Sequence, residues 1–137
     1  MSYLVDANVL SEATRPLPDV RVIDWLKRHE RLLVVDPIIV GELRFGILLL
    51  PKSKRRQRLE RWFDGVVQRL HCKDWDASTG LRWAELLARL RKLGRAIPIK
   101  DSLIAATALT HDLTLATRNG DDFEPTGVKI VNPFTPQ

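Results

Sequence analysis

The chain has 137 residues, 45% hydrophobic and 28% charged, a size and mixture that suit one domain around one core and exclude a disordered polypeptide. No apolar run approaches the roughly 18–20 residues needed to span a bilayer; Ile47 to Leu50, the longest candidate, is followed at once by Pro51. A net charge of +5 favours polyanionic partners only mildly. The opening Met1-Ser2-Tyr3-Leu4-Val5-Asp6 lacks the basic and apolar regions of a signal peptide, so a cytoplasmic protein with no membrane association is expected.

In chain order, Tyr3 to Val5 reads as a buried first strand. Asp19 to Glu30 reads as a helix, with Val22, Ile23 and Leu26 on one face. Leu32 to Val35 is a second strand. Asp36-Pro37 starts a helix, with Asp as cap and Pro at the first position. That helix turns Ile39, Val40, Leu43 and Ile47 inward and ends at Pro51. Lys52 to about Leu70 reads as one basic amphipathic helix with Leu59, Trp62, Phe63 and Val66 as its apolar stripe. Leu70 to Lys73 is a short strand, and the lone Cys72 within it is expected to be a small buried side chain. A single thiol excludes an internal disulfide and makes no zinc site by itself.

Asp76 to Leu93 is helical, with Leu86, Leu87 and Leu90 inward and Gly94 as its stop. Ile97 to Ile99 lead into Asp101-Ser102 and an almost wholly apolar helix, Leu103 to Leu109. Leu113 to Thr117 is a strand, Asn119-Gly120 a turn, and Val128 to Val131 a last strand. Strands separated mostly by helices imply an α/β fold with a parallel sheet. The four tryptophans sit mostly on apolar stripes and are expected in the core or a dimer interface. His29, His71 and His111 show no paired spacing and are expected to be solvated or core residues.

Ligands of parallel sheets bind beyond the carboxyl ends of the strands. Asp6 directly follows the first strand, Asp101 opens the apolar helix, and Asn119, Asp121 and Asp122 follow the strand ending at Thr117. Glu42 lies among Ile38, Ile39, Val40 and Leu43, where an unpaired carboxylate is costly to bury. Each has a structural alternative: helix caps for Asp6 and Asp101, turn residues for Asp121 and Asp122, a salt bridge for Glu42. Taken together they predict a carboxylate cluster at one end of the sheet, a setting that repels itself unless a cation is present. Hard divalent ions, Mg²⁺ or Mn²⁺, suit such oxygen donors and would activate a phosphodiester or phosphate ester toward water. The basic run Lys52-Ser53-Lys54-Arg55-Arg56-Gln57-Arg58, with Lys54, Arg55, Arg56 and Arg58 as candidates, would hold a phosphate backbone, or else is a solvated helix face. A second basic region runs through Arg89, Arg91, Lys92, Arg95 and Lys100.

Four segments carry a family resemblance. Tyr3-Leu4-Val5-Asp6-Ala7-Asn8-Val9-Leu10-Ser11-Glu12 resembles the opening motif of PIN domains. Val40-Gly41-Glu42-Leu43-Arg44-Phe45-Gly46 resembles their second, and Lys100-Asp101-Ser102-Leu103-Ile104-Ala105-Ala106-Thr107-Ala108 their third. Ala116-Thr117-Arg118-Asn119, Asp122-Phe123 and Val131-Asn132-Pro133-Phe134 resemble the fourth motif and tail. The subgroup most similar is the VapC toxins, including those described as FitB-like. The resemblance implies a PIN-like three-layer sandwich, one domain over residues 1–137, whose central parallel sheet is flanked by helices. It implies a Mg²⁺-dependent endoribonuclease with Asp6, Glu42 and Asp101 as the acidic metal site and Asp122 as the favoured fourth acid. Asn119 or Asp121 are the alternatives for that position, while Asn8, Thr117 and Asn119 would give polar support. It also implies RNA as substrate, a homodimer, and silencing by a cognate VapB-type antitoxin whose tail blocks the acids. The rival readings are a metal-dependent DNA nuclease, a non-catalytic metal-binding regulatory module, and an interaction domain with a dead site.

Overall fold

The structure, a computed structural model, describes all residues from Met1 to Gln137. Five short strands, β1 (Tyr3–Val5), β2 (Leu33–Val35), β3 (His71–Cys72), β4 (Thr114–Ala116) and β5 (Ile130–Val131), form one sheet in the order β3-β2-β1-β4-β5. Every neighbouring pair is parallel, with Leu4 level with Val34 on one side and Leu115 on the other. Central parallel strands are covered on both faces and so read as continuous apolar runs. Leu4, Val5, Val35 and Leu115 are accordingly fully buried. Because all strands run one way, their carboxyl ends share one edge of the sheet. The chain leaves β1 to build β2 and β3 on one side and returns to build β4 and β5 on the other. The crevice between β1 and β4 is therefore the topological switch point, where such sheets bind ligands.

Around the sheet lie α1 (Ala7–Leu10), α2 (Val20–Arg28), α3 (Pro37–Leu48), α4 (Lys54–Gly65), α5 (Ala77–Lys92), α6 (Ile99–Thr110) and α7 (Gly120–Phe123). Their ends follow ordinary capping chemistry. Asp19, Asp36, Ser53 and Asp76 each accept a backbone N–H of the first turn. At the end of α5, Gly94 takes φ +66°. Arg95 N–H reaches Leu90 O at 2.9 Å and Gly94 N–H reaches Arg91 O at 3.1 Å, the paired bonds of a glycine-terminated helix. The apolar α6 packs into the core through Ile104, Ala105 and Ala108, as its composition predicts.

Three expectations are corrected. The basic helix does not run to Leu70: α4 stops at Gly65 and a separate 3-10 turn covers Val67–Arg69. Glycine followed by two β-branched valines is a weak helical stretch, and the break buries Val67 while leaving Val66 46% exposed. Asp101 is not the cap of its helix, because α6 begins at Ile99 and places Asp101 in the first turn. Cys72 is exposed, since β3 is an edge strand paired only with β2. Of the tryptophans, Trp25 is 2% exposed and stacks on His29. Trp75 and Trp83, half-buried, donate their indole N–H to Leu103 O and Ser102 Oγ of α6. No helix is long and apolar enough to cross a membrane.

Candidate active site

Asp6 leaves the end of β1 and is 7% exposed. Its Oδ1 accepts Ala7 N–H at 2.8 Å, capping α1, and its Oδ2 accepts the Thr117 hydroxyl at 2.8 Å. Thr117 stands at the matching end of β4. Asn8 binds the same pair, donating at 3.4 Å to both Asp6 Oδ2 and Thr117 Oγ1, and its own oxygen accepts Arg118 N–H. Asn119 N–H closes the set on Thr117 Oγ1 at 3.1 Å. The switch-point crevice is thus stitched by side chains of both central strands, with one carboxylate at its floor. The cap role weighed for Asp6 is what the structure shows at the start of α1.

Glu42 enters from α3 and Asp101 from the first turn of α6, both half-buried. Glu42 Oε1 accepts Lys100 Nζ at 2.7 Å, while its Oε2 is buried with no hydrogen-bond partner. Burial pushes the Asp6 carboxyl above its ordinary value, and Glu42 adds to the rise. Thr117, Ala7 N–H and Lys100 pull against it. Asp101 is raised first by burial and then by the charges of Asp6, Asp122 and Glu42, with Lys100 again opposing. Asp6, Glu42, Asp101 and Asp122 therefore share one electrostatic neighbourhood. Lys100 is its counter-charge, and the Glu42 hydrogen bond holds the ammonium pKa above the usual lysine range.

The acids are near one another without forming a closed ligand set. No three Asp, Glu, His or Cys side chains stand close enough to hold one ion between them in this arrangement. Asp122 is exposed at the rim, where it lines a separate concavity of about 680 Å³ with Arg118, Asn119 and Asp121.

Two residues of this neighbourhood escaped sequence reasoning. Asp36, expected only as a helix cap, is fully buried. Its Oδ1 accepts Ile39 N–H at 2.8 Å and its Oδ2 the Thr107 hydroxyl at 2.6 Å. Burial raises its pKa, and the Asp6 charge adds to the rise. Its signal was available: Val35-Asp36 repeats, after β2, the strand-then-carboxylate step of Val5-Asp6. Lys100 was counted only within a basic region and as the residue before Asp101 in the third motif.

The basic run is split by the fold. Arg56 turns inward, donating from Nε to Glu60 Oε1 at 2.7 Å and from Nη1 to Leu50 O at 3.0 Å. Lys54, Arg55 and Arg58 remain exposed on α4. In the second basic region, Arg89 binds the carbonyls of Pro125 and Thr126, and Arg95 pairs with Glu124.

Comparison with known proteins agrees with this architecture. The chain is 36% identical to a VapC ribonuclease of Sinorhizobium fredii, over 97% of this chain and 98% of that one. It is 33% identical to toxin FitB of Neisseria gonorrhoeae, over 96% and 97%. Among solved structures, FitAB bound to a DNA fragment superposes with a TM-score of 0.91 at 30% identity, covering 98% of this chain and 97% of that one. Residues 3–129 match the PIN domain, and the chain belongs to that family.

Proposed function

We propose that the chain is a Mg²⁺-dependent endoribonuclease and the toxin of a type II toxin–antitoxin pair, with Asp6, Glu42, Asp101 and Asp122 as its acidic site. What supports this reading is the buried Asp6 carboxylate at the β1–β4 switch point, held by Thr117 and Asn8, with the charges of Glu42 and Asp101 near enough to act on it or be acted on by it. The chain's similarity to a VapC ribonuclease and to toxin FitB supports the same reading.

The residues fit a hard divalent ion. The donors are all oxygens, Glu42 keeps one buried oxygen without a partner, and burial and mutual repulsion disfavour ionised Asp6 and Asp101. Mg²⁺ or Mn²⁺, when bound, supplies Lewis acidity toward the phosphodiester and lowers the pKa of water. The protein's own part is positional. Thr117 and Asn8 fix the Asp6 carboxylate, Asn119 fixes Thr117, and Lys100 neutralises Glu42. Lys100 and a divalent ion would compete for the same carboxylates, so Lys100→Met is expected to tighten Mn²⁺ binding by about tenfold. Titration of the protein with Mn²⁺, followed by paramagnetic resonance, measures this; weaker binding by the variant would make Lys100 a support of the ion rather than its rival.

The proposed partner is a cognate VapB-type antitoxin whose tail covers the acids; the neighbouring structure is itself a FitAB complex. Exposed Phe45, Leu48 and Leu49 on and just after α3 suit burial in a homodimer, and the proposed compartment is the cytoplasm. No observation favours the DNA-directed, regulatory or dead-site alternatives. Purified protein incubated with total RNA, and separately with duplex DNA, tests the reading. RNA cleavage that needs Mg²⁺ and stops with EDTA is expected. Cleavage of DNA alone, or of neither, would overturn it.

A further inference from the structure

A second concavity, of about 640 Å³, is walled by Arg15, Pro16, Arg55, Arg58, Leu59 and Trp62. A smaller one of about 340 Å³ shares Thr14, Arg55, Leu59 and Trp62 with it and reaches Asn8 and Glu42. The two adjoin along these four shared residues, and together they make a trough from Glu42 to a cluster of three guanidinium groups.

The cluster is assembled by folding. Arg55 and Arg58 are three apart on α4, on one helical face. Arg15 comes from the loop after the 3-10 turn Ser11–Thr14, about forty residues earlier in the chain. No carboxylate lines the cavity. Arg55 and Arg58 make no ion pair, in contrast to Arg56 between them, which is turned to Glu60. Arg15 touches Glu12 Oε1 at 3.4 Å, and Glu12 Oε2 is occupied by Asp19 N–H at 2.7 Å. Three like charges around one hollow are matched by an anion with several oxygens, and guanidinium is the group that grips phosphate through paired N–H donors. Trp62, half-buried against the core, lines both cavities. With Pro16 and Leu59 it offers an apolar, partly aromatic wall of the kind on which an unpaired base stacks.

We propose that this trough is a substrate subsite for single-stranded RNA: Arg15, Arg55 and Arg58 hold a phosphate next to the scissile one, and Trp62 carries a nucleobase. The proposal rests on the ribonuclease reading and adds to it a place and a strandedness. The trough leads directly to Glu42, so a strand seated in it is delivered to the acids. A duplex offers no free base to the tryptophan and is expected to bind more weakly.

The test measures binding of a labelled uridine octanucleotide in EDTA, where cleavage is suppressed, across a salt series. The triple variant R15Q/R55Q/R58Q is expected to bind about tenfold more weakly, and its slope of log affinity against log salt should fall by about 0.7 for each phosphate lost. A control triple at exposed cations elsewhere, R31Q/R91Q/K92Q, removes equal charge and should change affinity by less than about threefold. Trp62→Leu should weaken binding and Trp62→Phe restore most of it, with thermal melts confirming that both are folded. If the wild type cleaves RNA while the arginine triple binds no worse than the control, the subsite is wrong and the nuclease reading stands. If the wild type neither binds nor cleaves RNA, both fall. If the triple keeps RNA affinity but loses affinity for a polyglutamate peptide, the cavity recognises an acidic protein segment and the RNA assignment is overturned.

Discussion

Asp6→Asn is expected to leave the protein folded and to reduce Mg²⁺-dependent RNA cleavage on the order of a thousandfold. A divalent ion at a phosphodiester contributes several kcal/mol of transition-state stabilisation, and about 1.4 kcal/mol is tenfold in rate. Losing the most enclosed of its carboxylates forfeits much of that. The fold is spared for a reason visible in the hydrogen bonds. The amide oxygen can still accept Ala7 N–H, so the cap on α1 survives, and what is lost is the single bond donated by the Thr117 hydroxyl. Removing a charge that burial already disfavours also offsets the poorer contact with Asn8. A gel assay with labelled RNA and a thermal melt read the two halves. Cleavage within about threefold of wild type, from a variant melting within a few degrees of it, would remove Asp6 from the chemistry.

The legible part of the fold was whatever periodicity and caps encode. Tyr3 to Val5, the Asp36-Pro37 start and the Gly94 stop were readable because a buried strand, a capped first turn and a left-handed residue each demand particular side chains. Glu42 stood out because a carboxylate among Ile39, Val40 and Leu43 needs a partner, and the structure supplies the salt-bridge alternative through Lys100. Less legible was anything depending on a side chain's final direction. Lys100 and Asp101 are about 100° apart around a helix, which argues against a shared pocket, yet the long lysine stem bends back to Glu42. Arg55, Arg56 and Arg58 look alike in the sequence, although the Arg56–Glu60 spacing is one at which helical ion pairs form. Arg15 belongs to no charged run, so nothing but the fold could join it to α4. Cys72 was misread because a two-residue strand gives no sign of lying at a sheet edge.

The pH dependence of stability should change sign of response when a divalent ion is added. Asp6, Asp36 and Asp101 all have raised pKa values, chiefly from burial. A carboxyl raised in the folded state contributes stability that is fully present below its unfolded value, here 3.8, and lost as pH rises through the folded value. Between that value and neutrality the metal-free protein should therefore become more stable as pH falls. Asp19 and Asp76 are lowered by their own hydrogen bonds, so their contribution is present above 3.8 and lost below it, which sets the acid limit of the window. Saturating Mg²⁺ binds only ionised carboxylates and stabilises by mass action, so its gain in melting temperature should grow from pH 5 to pH 8. Asp36→Asn isolates one component: it removes a fully buried charge while the amide oxygen keeps the cap on Ile39. It should flatten the metal-free profile without abolishing the Mg²⁺ gain. Thermal melts at pH 5, 6.5 and 8, with EDTA or Mg²⁺, measure all of this. A metal-free protein that loses stability steadily from pH 7 to pH 5 would mean that these carboxylates are stabilised as anions by the fold, leaving a cation little to relieve.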